Sequence, residues 1–163
     1  MLNKIILTAG IALALSGTAL ADTVYVTSDA DFGDNTFRAA IQAANGDLRI
    51  DTIEFTSSLS VTLGEEVRYT GSQDLAIIGH NSTLTGDCDP AATWGGGLFN
   101  SYSAAAISLA DISFADSCNN GVGIFIPEEA GGKVAVTLVN VSITGSRFHG
   151  LYVDGQDSTG VYN

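Results

Sequence analysis

Apolar and polar residues alternate over short runs along most of the chain, and turn residues separate the runs. Alternation with a period of two is typical of β-strands that bury one face. The first such run is residues 23–27, and from residue 51 onward only strands and turns are predicted. Few of the runs are joined by two-residue hairpin turns, which argues against a simple antiparallel meander. The predicted later strands are residues 52–55, 60–63, 67–70, 75–78, 82–85, 98–102, 107–109, 112–114, 122–126, 134–138, 141–143 and 151–153.

One segment, residues 37–44, has the spacing of an amphipathic helix. Asn35 or Thr36 can cap its start, and Gly46 lies where a helix ends. At barely two turns the helix is too short to be stable alone, so it must pack on another element. We expect it to cover the open end of a stacked sheet with its apolar face, which comprises Phe37, Ala40, Ile41 and Ala44.

An internal repeat predicts how the strands are arranged. Residues 107–124 align without gaps to residues 136–153, at an offset of 29 (136 − 107 = 29). Asp111 and Asn140 interrupt the alternation at the same place, which indicates two short strands meeting at a polar corner, then a loop and a third strand. Such a unit cannot bury its inner face alone and must stack on copies of itself. The pattern predicts an all-β solenoid of about four coils.

The earlier coils are less regular. Five apolar residues are expected to begin equivalent strands, with side loops at residues 89–97 and 127–132. These residues are Ile53, Ile77, Leu98, Ile124 and Val153.

Residues 1–21 follow the secretory pattern of one positive charge, Lys4, an apolar run, and a small-residue ending at Ala19 and Ala21. Cleavage is expected before Asp22. The apolar run is shorter than the roughly 20 residues that span a bilayer, and no later segment is a candidate anchor. The sequence therefore predicts a soluble product that is secreted or displayed at the cell surface. We divide it into residues 22–50, the first strand and capping helix, and residues 51–163, the coils.

The charge balance excludes some partners. The chain has 18 acidic and 6 basic residues, and loss of Lys4 with the signal peptide leaves 5 − 18 = −13. Such a surface repels nucleic-acid phosphates and anionic lipids. Export also makes a disulfide between the two cysteines, Cys88 and Cys118, a reasonable expectation, with a pair of free thiols as the alternative.

The helix and the strand after it carry a family resemblance. The segment DNTFRAAIQAAN (residues 34–45), followed by DTIEF (residues 51–55), resembles the start of bacterial surface proteins with a Leu-Arg-x-Ala-Ile capping helix. Phe37 replaces the usual Leu, and the Cys often found before it is absent. The resemblance implies a right-handed, pectate-lyase-like parallel β-helix from a bacterium, with Arg38 anchoring the cap. It does not imply one activity, because the fold is shared by lyases, hydrolases, adhesins and stalks.

Chains with this resemblance are usually several times longer. The present sequence stops at Asn163, inside its next coil. We expect an N-terminal part of a longer surface protein, or an apolar end that further coils or a partner cover.

Candidate catalytic chemistry is sparse. The repeat offset brings Arg147 over Cys118, His149 over Asn120 and Gly145 over Asp116, so that Asp116, Arg147, His149 and Asp154 could share a neighbourhood. A basic residue with carboxylates that hold Ca²⁺ would suit a uronate lyase. Turn residues on a solvated edge are the simpler interpretation.

Two further groups are candidates for binding. Asp29, Asp31 and Asp34 partly match a calcium loop but lack its full spacing and its distant Glu. Of the aromatic residues near the glycine run, Trp94, Phe99 and Tyr102, any that is exposed could stack on a sugar ring. The sequence thus leaves two hypotheses: a scaffold or binding module for glycans or a surface protein, or a polysaccharide-active enzyme, either a uronate lyase or a glycoside hydrolase.

Overall fold

The computed structural model describes residues 21–87, 97–127 and 134–155, which leaves all but the last residue of the predicted signal peptide outside it. These ranges contain one helix and eleven strands, and no helix in them is long and apolar enough to cross a bilayer. The elements are β1 (Asp22–Val26), α1 (Phe37–Gly46), β2 (Ile50–Phe55), β3 (Ser60–Leu63), β4 (Val67–Tyr69), β5 (Leu75–Gly86), β6 (Phe99–Ser101), β7 (Ile107–Ala115), β8 (Val122–Ile126), β9 (Val136–Val139), β10 (Ser142–Thr144) and β11 (Leu151–Gly155).

The strands stack as a β-solenoid of about four coils, and every pairing between strands is parallel. Sheet A contains β1, β2, β3, β5, β7, β9 and β10, and sheet B contains β4, β6, β8 and β11. The long strands β5 and β7 bend, so sheet A supplies two sides of each coil and sheet B supplies the third. The predicted solenoid is confirmed, and the predicted strand pairs 75–78 with 82–85 and 107–109 with 112–114 are each one bent strand.

The offset of 29 is confirmed on all three sides of the last two coils. Ile107 pairs with Val136, Ser113 with Ser142 and Val122 with Leu151. The predicted place of Leu98 is wrong on both sides: the partner of Ile77 in the next coil is Leu109 in sheet A, and the partner of Ile124 in β6 is Ser101. The error arose because apolar spacing alone cannot tell which side of a coil a strand occupies.

The polar corners take the left-handed backbone conformation. Asp111 and Asn140 have φ of 52° and 53°, and Asn140 Nδ2 donates to Asp111 Oδ1 at 2.9 Å. In the coil before, His80 and Asn81 turn the same corner with φ of 49° and 65°. Asn and Asp tolerate this conformation better than most side chains, which explains why polar residues interrupt the alternation there.

The core runs along the inside of the coils, and α1 closes its first end. The predicted apolar face of α1 is buried, and Phe37 lies 5.7 Å from the ring of Phe55 and 6.2 Å from that of Phe99. Thr36 is the N-cap, since its hydroxyl accepts from the Ala39 amide. At the other end Leu138, which pairs with Leu109 on the inner side, is 40% exposed. That further coils or a partner cover this end stays a prediction.

Candidate functional site

The outer surface of sheet B carries a group of polar and aromatic side chains that contact one another. Val67 and Tyr69 point into the core, so Arg68 between them points outward. The parallel register places Arg68 beside Asn100, Asn100 beside Gly123 and Gly123 beside Tyr152. Successive coils therefore bring side chains that are far apart in sequence into one row along the solenoid axis.

Aromatic rings follow one another along this surface. The rings of Tyr102 and Phe125 stack at 4.7 Å with only 7° between their planes, and Tyr152 lies 5.6 Å from Phe125. The Arg68 guanidinium lies 5.4 Å from the Tyr102 ring, and His149 lies 5.2 Å from Tyr152. We call this group, Arg68, Tyr102, Phe125, Tyr152 and His149, the aromatic strip.

Glu66 organises the first end of the aromatic strip. Its side chain is 5% exposed, and Arg68 donates to it at 2.8 Å. Asn100 Nδ2 and the Tyr102 hydroxyl donate to Glu66 Oε1 at 2.6 and 3.0 Å. A nearly buried carboxylate requires such partners, and here they fix the orientations of three side chains at once.

Gly123 provides the space that the aromatic strip needs. A Cβ at this position would collide with the amide oxygen of Asn100 and with the Phe125 ring. Asn100 is 4% exposed, and its Oδ1 has no hydrogen-bond partner. The missing side chain at 123 is thus the reason that Asn100 and Phe125 can lie so close to the sheet.

Two groups in the aromatic strip have displaced pKa values. Burial, and then the hydrogen bond to Glu66, raise the pKa of the Tyr102 phenol. The hydrogen bond to Glu66 also raises the pKa of Arg68. Tyr102 therefore stays a neutral donor and Arg68 stays a cation across the ordinary pH range.

A groove of about 460 Å³ continues from this end toward the capping helix. We call it the cap groove. It lies between α1 and β4, and Glu66 and Arg68 belong to both the groove and the polar end of the strip. Its lining residues are Arg38, Ile41, Gln42, Asn45, Glu65, Glu66, Val67, Arg68 and Thr70.

The structure brings part of the predicted catalytic group together. His149 Nδ1 lies 3.2 Å from Asn120 Oδ1, and Gly145 lies against Asp116, as the offset of 29 requires. The Arg147 amide donates to the Ser117 carbonyl, one residue from the expected Cys118. Asp154 lies elsewhere, next to Phe125 in sheet B. Asp154 is therefore a neighbour of the aromatic strip, to which His149 belongs.

The acidic loop before α1 has a structural use. Asp31 pairs with Arg38 at 2.7 Å, and its other oxygen accepts from the Gly64 amide at 2.9 Å. Arg38 also donates to the carbonyls of Glu65 and Glu66, so the predicted anchoring role is confirmed. Asp29 and Asp34 are exposed, and the described residues contain no group of three metal-ligating side chains.

The three aromatic candidates for sugar contact differ in outcome. Tyr102 is 37% exposed and belongs to the aromatic strip, whereas Phe99 is fully buried and cannot contact a ligand. Trp94 and Cys88 lie outside the described residues, as do nearly all of the two predicted side loops. The predicted disulfide of Cys118 therefore stays a prediction.

Sequence reasoning did not identify Glu66, Asn100, Phe125 or Tyr152. A signal was present for the last of these, since the offset of 29 places Tyr152 beside Gly123. The same signal was missing for Asn100 and Glu66, because the earlier coils do not keep that offset.

Comparisons with known proteins add no relative. The family models, the curated proteins and the solved structures contain no match to this chain.

Proposed function

We propose that this protein is an exported, non-catalytic β-helix module of a bacterial surface protein, and that it binds glycans along the outer surface of sheet B. The capping-helix resemblance, with its pectate-lyase-like right-handed β-helix, and the secretory pattern support the cellular setting. The aromatic strip is the observation that carries the binding function.

The chemistry of the aromatic strip suits a sugar chain. Tyrosine combines an apolar ring with a polar hydroxyl, and sugar rings likewise combine apolar C–H faces with hydroxyl groups. Asn100, Glu66 and Arg68 add hydrogen-bonding groups that their mutual contacts hold in place. The rings of Tyr102, Phe125 and Tyr152 lie on three successive coils, so a linear polymer can lie along them.

The test is a screen of glycans for binding to the mature chain, residues 22–163. Titration calorimetry then measures the affinity for each glycan that binds. Tyr102→Ala and Tyr152→Ala are expected to weaken binding at least about tenfold, as loss of a central aromatic contact does. Tyr25→Ala is the matched control, because Tyr25 is 53% exposed on β1, away from sheet B. Circular dichroism checks that each variant folds. Absence of glycan binding, or an equal loss from Tyr25→Ala, contradicts the proposal.

One observation supports an enzyme as the second candidate. Of the predicted catalytic residues, His149 belongs to the aromatic strip and Asp154 lies beside Phe125 of the strip, within reach of a chain bound there. A uronate lyase would release unsaturated product from polygalacturonate, with or without added Ca²⁺, and His149→Ala would abolish the release. A hydrolase would instead release reducing ends from a neutral polymer. Absence of both products excludes this candidate for the polymers assayed.

A further inference from the structure

We infer that the glycan is uncharged rather than a uronate, and that one end of its chain enters the cap groove. This inference rests on the proposed function and adds the class of sugar and the path of the chain. Two observations carry it: the groove and the aromatic strip are continuous, and the cations along them are already neutralised.

Continuity comes from Arg68 and Glu66. Both line the cap groove, and both contact Tyr102: Arg68 through its guanidinium at 5.4 Å from the ring, and Glu66 by accepting the phenol proton at 3.0 Å. The aromatic strip and the cap groove meet at β4, because β4 carries Arg68 of the strip and also forms one wall of the groove. A chain on the strip that extends past Tyr102 reaches the groove directly.

The charges along this path disfavour an anionic ligand. Arg38 is paired with Asp31, and Arg68 is paired with Glu66, so an acidic side chain already offsets the charge of each cation. The carboxylates of Glu65, at the groove, and Asp154, beside Phe125, add negative charge that no described ion pair offsets. Arg147, beyond His149, is the one nearby arginine outside an ion pair among the described residues. The chain as a whole carries −12. A polymer of uronates would therefore meet net repulsion.

An uncharged sugar meets suitable groups instead. The Gln42 amide lines the groove from the exposed side of α1, and no hydrogen bond within the described protein uses its side chain. The Arg68 guanidinium retains N–H groups beyond the one that donates to Glu66, since it has five. Neutral hydroxyls can accept from both without bringing a charge that must be compensated.

The experiment compares two oligosaccharide series of equal length, galactose oligomers and galacturonate oligomers, by titration calorimetry at low and high NaCl. The neutral series is expected to bind at least about tenfold more tightly at low salt. High salt is expected to raise the galacturonate affinity and to leave the galactose affinity unchanged, because screening weakens repulsion between charges only. Galacturonate binding as tight as galactose binding, or tighter, overturns the inference while the proposed glycan binding stands.

A bulky side chain placed in the cap groove tests whether the glycan enters it. Gln42→Trp is expected to weaken binding of long galactose oligomers at least about tenfold and to leave the shortest bound oligomer unaffected. Ala43→Trp is the matched control, since Ala43 is an exposed neighbour on α1 that does not line the groove. Equal affinities of the two variants for long oligomers overturn the groove assignment. If the mature chain binds no glycan in the test of the proposed function, that function fails, and the inference fails with it.

Discussion

At the scale of single residues, the contacts of Arg38 join the capping helix to the loop before it and to the chain before β4. It is 7% exposed, pairs with Asp31 and donates to the carbonyls of Glu65 and Glu66. Arg38→Met would leave a part-buried carboxylate and two carbonyls without this partner. We expect the free energy of unfolding to fall by about 3 kcal/mol, measured by urea denaturation.

Arg49→Met is the control for removing an arginine. Arg49 also pairs with an aspartate, Asp47, but its side chain is 63% exposed, so the pair is hydrated in the folded and unfolded chains alike. The free energy of unfolding should hardly change. Equal losses from Arg38→Met and Arg49→Met would show that burial does not set the value of the Arg38 contacts.

Gly79 is a second position where a single substitution should change stability, because the structure leaves no room for a Cβ there. A Cβ there would lie 2.6 Å from the Asp111 carbonyl oxygen and 2.6 Å from Ile112 Cβ, at the corner where two coils cross. Gly79→Ala should lower the free energy of unfolding by about 2 kcal/mol, because backbone in the next coil must move. Gly46→Ala, which meets nothing within 4 Å, should be neutral or slightly stabilising in the same urea titration. A neutral Gly79→Ala would mean that the coils are spaced more loosely than the structure has them.

At the scale of elements, the end of α1 depends on Gln73 and Tyr69. The Gln73 side-chain amide donates to the carbonyls of Ala44 and Ile50 at 2.6 and 2.9 Å, and the buried Tyr69 hydroxyl donates to the Gln73 carbonyl. These contacts hold the chain after β4 against the capping helix. Because the Tyr69 side chain is buried, ionisation of its hydroxyl should lower the stability of the capping end.

Burial raises the pKa of Tyr69 to about 12, from an ordinary value near 10. The folded chain holds this proton more tightly than the unfolded chain, so its stabilising effect is complete below pH 10 and is lost as the pH rises toward 12. We expect a decline of about 2 kcal/mol over that interval, measured by urea denaturation at each pH. Tyr69→Phe should flatten the decline, and Tyr25→Phe should not. An unchanged slope in Tyr69→Phe would assign the alkaline loss to other groups.

The elements were largely predictable because the repeat is visible in the sequence. Asp111 and Asn140 mark a corner in the sequence itself, since a polar residue in the left-handed conformation breaks an otherwise strict alternation. Leu98 was wrongly grouped with Ile77, because Ile77 and its true partner Leu109 are 32 residues apart (109 − 77 = 32), which is longer than the 21 residues that separate Ile77 from Leu98. Alternation fixes which face of a strand is buried, whereas coil length fixes which strand it neighbours.

The candidate site was less predictable for the same reason. His149 could be placed on Asn120 because both lie in the two regular coils. The contacts of Glu66 with Asn100 and Tyr102 join irregular coils, at sequence separations of 34 and 36 residues, and no pattern in the chain announces them. Contacts between side chains of different coils can be predicted only when the register of every coil is known.

At the scale of the whole molecule, stability depends on contacts between coils, because the described strands pair only with strands of other coils. The predicted Cys88–Cys118 disulfide would join two such coils covalently. β5 and β7 pair in register up to Thr85 with Ala115, and Ala115 lies three residues before Cys118 (118 − 115 = 3). Neighbouring parallel strands lie about 4.8 Å apart, which is within the range of Cα separations that a disulfide allows.

Closing a loop of this length is expected to stabilise the folded chain by about 3–4 kcal/mol, because it restricts the unfolded state. The oxidised mature protein should therefore unfold at a higher urea concentration than the same protein with reductant. A Cys88→Ser and Cys118→Ser double variant should match the reduced protein and should not respond to reductant. Peptide mapping under non-reducing conditions identifies the bond directly. Alkylation of both thiols in the unreduced protein would contradict the disulfide and would leave stacking alone to hold these two coils together.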